Sequence, residues 1–131
     1  MNKGQTVFLV DDDPGILKAL SRLLRASGYT AEAFGSAQEF MDSYNPGAAG
    51  CLVLDLLMPG ITGLDLQQWL ARSGSSLPII FLTALDDIPE CVKSVKEATA
   101  VLRKPVGASV LIKAVEDALA RDRGARKACR L

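Results

Sequence analysis

Apolar and polar positions alternate along this chain in blocks of two kinds. Short apolar runs, "TVFLV" (6–10), "TAEAF" (30–34), "CLVLD" (51–55), "PIIFL" (78–82) and "AVLR" (100–103), read as five strands. Three of them are apolar enough to be covered on both faces, as strands inside a parallel sheet are. Between the runs, apolar residues return with a helical period. Ile16, Leu17, Leu20, Leu23 and Leu24 form one face of a helix, with Pro14 suited to its first turn and Gly28 to its end. A second helix is predicted from the capping-box spacing Ser36-x-x-Glu39 and a third over 64–72, with Leu66, Trp69 and Leu70. A fourth is predicted over 88–97, carrying Ile88, Cys91, Val92 and Val95, and a fifth over 108–122.

Strict alternation of strand and helix requires right-handed crossovers, hence a parallel sheet with helices on both sides. The expected class is α/β, a doubly wound five-stranded sheet flanked by five helices. In such sheets functional groups collect beyond the carboxyl ends of the strands, near the point where strand order reverses.

The chain's 131 residues suit one domain with a substantial core. Fifteen basic residues balance fifteen acidic ones, but Arg121, Arg123, Arg126, Lys127 and Arg130 crowd the end against Asp122 alone. The expected division is therefore a domain over 1–122 and a basic tail over 123–131, either the start of a linker or a solubilising end. Without the tail the body is acidic, which argues against direct contact with nucleic acid. There is no histidine, which excludes serine–histidine triads, histidine phosphocarriers and thiolate–histidine zinc sites. Cys51, Cys91 and Cys129 are odd in number and widely spaced, so reduced thiols are expected. No apolar run approaches the ~20 residues of a membrane span, and the start of the chain lacks the apolar stretch of a signal peptide. A cytoplasmic protein with no membrane partner is expected.

Chemistry gathers at the strand ends. The first strand runs into Asp11, Asp12 and Asp13, the third ends at Asp55, the fourth is followed by Thr83 and the fifth by Lys104. Asp13, directly before Pro14, is most simply a helix N-cap. If the sheet forms, Asp11, Asp12 and Asp55 converge and repel one another, so they call for a cation. Oxygen ligands without nitrogen or sulfur suit Mg²⁺. An amine and a hydroxyl beside such a centre fit an arriving phosphoryl group, with Asp55 as its acceptor. A phosphatase with an aspartyl nucleophile would need a second acid two residues on, where Leu57 stands. A nucleotide or flavin site would need phosphate-cradling donors after the first strand, and "DDDPG" would repel phosphate.

The set "LVDDDP", "LVLDLLMPGITG", "PIIFLTA" and "LRKPV", in that order, resembles the CheY-like receiver domain of bacterial two-component response regulators over about residues 5–120. "GSAQEF", "GLDLQQWL" and "DIPECVKSVKEA" look most like the FixJ/NarL branch, whose receivers are joined to a helix-turn-helix output domain. The resemblance implies strand order 2-1-3-4-5 and a cis peptide between Lys104 and Pro105. It also implies Asp55 as phosphoacceptor and Mg²⁺ (or Mn²⁺) held by Asp11, Asp12, Asp55 and the backbone carbonyl of Leu57. Thr83 would hydrogen-bond the phosphoryl group and Lys104 would pair with it. A sensor histidine kinase would be the donor. The surface of the fourth helix, fifth strand and fifth helix would switch, serving as a phosphorylation-dependent homodimer or output contact, with DNA reached only through an output domain. The protein would be no enzyme beyond modifying itself and losing the group by hydrolysis. Alternatives are an unphosphorylated interaction module or a single-domain phosphorelay intermediate. Two departures stand out: Val101, where many receivers carry an aromatic, and Glu97-Ala98, where Gly-Ala is familiar.

Overall fold

The computed structural model describes residues 5–75, 77–84 and 98–129. Five parallel strands, β1 (Thr6–Val10), β2 (Ala31–Phe34), β3 (Gly50–Asp55), β4 (Ile79–Thr83) and β5 (Ala98–Arg103), lie in the order β2-β1-β3-β4-β5. Four helices are described: α1 (Pro14–Ala26), α2 (Ala37–Ser43), α3 (Gly63–Arg72) and a C-terminal helix, α4 (Ala108–Cys129). The helix expected over 88–97, with Ile88, Cys91, Val92, Val95 and Glu97, lies outside the described residues.

Alternation along the strands builds two cores. Val7, Leu9, Cys51, Val53, Ile80 and Leu82 face α1 and α4, where they meet Leu20, Leu24, Leu111, Val115 and Leu119. Val10, Leu52, Leu54, Ile79 and Phe81 face the other way, against Phe40 of α2 and Leu66 and Leu70 of α3. All six residues of β3 are buried, as suits a central strand covered on both faces.

Local signals explain the helix ends. Asp13 is the N-cap of α1, its Oδ1 accepting from the N–H groups of Gly15 (2.9 Å) and Ile16 (3.4 Å). At α2 only half of the expected capping box forms. Ser36 Oγ accepts from the Glu39 N–H at 3.2 Å, but the Glu39 carboxylate takes the Ser36 hydroxyl at 3.5 Å instead of reaching back to the main chain. The reciprocal box is at α3, where Thr62 Oγ1 accepts from Asp65 N (3.2 Å) and Asp65 Oδ2 from Thr62 N (3.1 Å). The C-terminal helix overruns its expected end at residue 122 and continues to Cys129. Alanine, arginine and lysine are good helix formers, and their cations suit a helix C-terminus.

Candidate functional site

Register gathers the strand ends. Val10 stands opposite Phe34 on one side and Leu54 on the other, Asp55 opposite Leu82, and Thr83 opposite Arg103. Asp11, Asp55, Thr83 and Lys104 therefore occupy one edge of the sheet, and β1 and β3 flank the point where strand order reverses.

Asp11, Asp12 and Asp55 each offer a carboxylate oxygen, all within 4.8 Å of one another. Asp11 and Asp55 are buried, at 2% and 4% exposure, whereas Asp12 is exposed. The burial has a backbone cause. Asp11 N–H donates to Phe34 O at 3.2 Å and Asp13 N–H to Asp11 Oδ1 at 2.9 Å, folding the turn after β1 over the Asp11 carboxylate. Beyond β3, Leu56 N–H donates to Leu82 O at 2.8 Å and Gly63 N–H to Leu56 O at 3.1 Å, so the chain continues pinned between β4 and the start of α3. A Cβ at Gly63 would lie 2.4 Å from the Asp55 carbonyl oxygen, so this close approach admits glycine alone.

Lys104 is the cation of the cluster. Its Nζ lies 2.9 Å from Asp11 Oδ2 and 3.4 Å from Asp55 Oδ1. Its main-chain N–H donates to Thr83 O at 2.8 Å, which ties the loop after β5 to the end of β4, and the Lys104-Pro105 bond is cis as expected. Thr83 is fully buried. Leu57 N–H donates to Asp55 Oδ1 at 3.4 Å, while the Leu57 side chain is 53% exposed. Val101 is half-buried and packs against the second core.

Charge follows from this crowding. Asp55 is pushed up from 3.8 to about 6, first by burial and then by the Asp11 charge, with Lys104 and the Leu57 N–H opposing. Burial pulls Lys104 down, but its hydrogen bond to Asp11 and the charges of Asp11 and Asp55 outweigh it and raise it. The cluster holds three carboxylates against one nearby ammonium, so it has room for a further cation. Its all-oxygen donor set fits a hard divalent ion.

Among the described residues, one further buried carboxylate was not anticipated from the sequence. Asp122, the last residue of the expected domain and a lone acid among arginines, is 1% exposed and lies at the opposite end of the sheet. Its Oδ2 accepts from Gly50 N (3.0 Å) and Gln5 Nε2 (3.1 Å), and Gln5 also donates to Leu119 O at 3.0 Å. Burial, followed by the Asp122 charge, pushes the Cys51 thiol up to about 12, which leaves it protonated and inert. Cys91 lies outside the described residues.

Comparison with known proteins agrees with this geometry. Residues 7–116 match the family model described as the response regulator receiver domain. Nodulation protein W of Bradyrhizobium diazoefficiens is 44% identical over 125 residues, covering 95% of this chain and 55% of that protein. Response regulator protein TodT of Pseudomonas putida F1 is 40% identical over 119 residues, covering 90% and 52%. The chain thus spans about half the length of these curated relatives. Among solved structures, that of the response regulator StyR superposes with a TM-score of 0.92 at 39% identity, covering 97% of this chain and 65% of that one.

Proposed function

The chain belongs to the response regulator receiver domain family, and from that premise we propose that it takes a phosphoryl group from a sensor histidine kinase onto Asp55. The observation that carries the reading is the convergence of Asp11, Asp12, Asp55 and Lys104 at the switch point.

Asp55, held by a 3.4 Å bond from Leu57 N–H and a 3.4 Å contact to Lys104, keeps an oxygen electron pair free for a new bond. One of its carboxylate oxygens attacks phosphorus, the P–N bond to the donor imidazole breaks, and that nitrogen leaves with the bonding pair to be protonated. Lys104 bridges Asp11 and Asp55, and its ammonium accompanies the arriving phosphoryl oxygens. Thr83, at the neighbouring strand end, supplies a hydroxyl to the same oxygens. Asp11, Asp12, Asp55 and the Leu57 carbonyl would hold Mg²⁺ or Mn²⁺, which neutralises charge on the transferred group. An apolar hollow of about 420 Å³ beside Lys104, lined by Ile16, Ala19, Leu20 and Pro105, offers the donor protein a surface to rest on.

Phosphorylation then biases a two-state surface made of the segment 88–97, β5 and α4, through which the receiver dimerises or contacts its output. The receiver proper is residues 1–122, and the basic end from 123 leads toward an output domain, through which alone the protein would control transcription on DNA. Its place is the cytoplasm. No helix among the described residues is long and apolar enough to cross a membrane. The protein turns over no free substrate beyond its own modification and slow hydrolysis.

Incubation with acetyl phosphate and Mg²⁺ tests the reading by intact mass. One phosphoryl group should add to the wild type, only with the metal, and none to Asp55→Asn. A metal-independent adduct, or one that persists in the variant, would overturn it.

A further inference from the structure

The sheet face that carries α2 is closed at one end and open at the other. α2 has only seven residues, and the cause is local. Tyr44 already leaves helical backbone as C-cap, at φ −64° and ψ 130°. Pro46 keeps Asn45 from continuing the helix, and Asn45 turns the chain by accepting from Gly47 N at Oδ1 (2.9 Å) and from Ala48 N at its carbonyl (2.8 Å). The lower part of the face is therefore left uncovered. Thr6 and Phe8 are only half-buried, whereas Val7 and Leu9 on the opposite face are 1% exposed.

The gap is a cavity of about 340 Å³, at the lower end of the roughly 300–1,000 Å³ of small-molecule sites. Phe8, Phe34, Phe40 and Tyr44 line it, and Glu32 is the one charged side chain among the lining residues. Phe8, Phe34 and Tyr44 present the half-exposed rings, and Phe40, 1% exposed, ties them together from behind. Phe40 meets Phe8 at 5.7 Å, Phe34 at 5.4 Å and Tyr44 at 5.6 Å between centroids. Glu32 is the register partner of Phe8, so its exposed carboxylate stands on the same face as that ring. Among the described residues it has no hydrogen bond or ion pair.

We propose that this cavity binds a small organic cation, an alkyl or quaternary amine whose apolar body lies on the aromatic wall and whose charge faces Glu32. Ring faces attract a cation through their quadrupole, and the attraction strengthens as water is excluded. An anion meets the Glu32 charge and is repelled. A neutral molecule of the same shape gains the apolar contact but leaves the carboxylate without a partner.

Trp69 reports on the site. It is the only tryptophan of the chain, and its ring stands 5.6 Å from that of Tyr44. The full chain is titrated with choline and, separately, with its uncharged isostere 3,3-dimethylbutanol, following Trp69 emission and the amide resonances of Phe8, Glu32 and Phe34. Choline should give saturable changes in both, with apparent affinity at least about tenfold above that for the alcohol. Glu32→Gln should weaken that preference at least severalfold, leaving what the rings alone supply. Asp55→Asn should retain it, which separates this cavity from the acid cluster. Absence of saturable change in both readouts, equal affinity for the isostere, an unaltered response in Glu32→Gln or a lost one in Asp55→Asn would overturn the assignment.

Discussion

Asp55 and Asp122 are two carboxylates buried almost completely, at 4% and 1% exposure, at opposite ends of the same sheet. Asp122 accepts from two neutral donors at 3.0 and 3.1 Å, the Gly50 N–H and the Gln5 amide, and so joins α4 to the starts of β1 and β3. Among the described residues Asp55 has only a 3.4 Å bond from Leu57 N–H and a 3.4 Å contact to Lys104, with Asp11 and Asp12 close by. Under the proposed function the difference separates holding from reacting. A buried acid supplied with good donors stiffens the chain, whereas one kept short of them among like charges retains capacity for a cation and for a new bond. Each acid also leans on a glycine: Gly50 brings β3 against β1, and Gly63 brings α3 against the Asp55 main chain.

The contrast can be broken first at Gly50. Its φ of +143° is foreign to other residues, and a Cβ there would fall 1.8 Å from Thr6 O. Gly50→Ala should therefore lower the unfolding free energy by on the order of 4 kcal/mol, read by urea denaturation. Asp122→Ala comes next, at about 2–4 kcal/mol, because it strands the Gly50 N–H and deprives Gln5 of an acceptor. Folded Asp122→Ala protein should still take up a phosphoryl group from acetyl phosphate, whereas a Lys104→Ala change at the other end should slow uptake and also lower stability in chelator, because it leaves the buried Asp11 and Asp55 charges without their cation.

Asp55→Asn should move stability the other way. The pKa of Asp55 lies near 6 in the folded chain against an ordinary 3.8, so within that window the folded state holds more protons than the unfolded one. Stability in chelator should then fall as pH rises from about 4 through 6. Asp55→Asn should flatten this limb and unfold later than the wild type at pH 7, and the two should converge below pH 4. The smallest effect is at Leu57, whose side chain is exposed and whose N–H meets Asp55, the proposed acceptor. If it crowds attacking water, Leu57→Asn should hydrolyse its phosphoryl group roughly threefold faster, a barrier change below 1 kcal/mol. A rate equal to the parent's would remove Leu57 from that role.

The acidic end was legible in the sequence because its signal is local. Acids that directly follow apolar strands must emerge at a strand end, and alternation with helices lines those ends up. Asp122 was illegible for the opposite reason. Its partners Gln5 and Gly50 lie 117 and 72 residues away, and a lone acid among arginines reads as solvated. The same limit applied at the helix ends. Ser36-x-x-Glu39 matched the capping-box pattern yet closed only half of it, while Thr62 and Asp65 closed a full one with a shorter acid. The charge of residues 123–129 suggested an end to the helix where their helix propensity carries it on.

In the proposed function Asp55 is the acid that reacts, and chemical mapping addresses that most directly. Protein treated with acetyl phosphate and Mg²⁺ is reduced with borohydride, which converts an acyl phosphate to a homoserine residue, then digested and sequenced by tandem mass spectrometry. Homoserine at position 55 alone is the predicted result; homoserine at 11, 12 or 122, or none where intact mass shows phosphorylation, would contradict it.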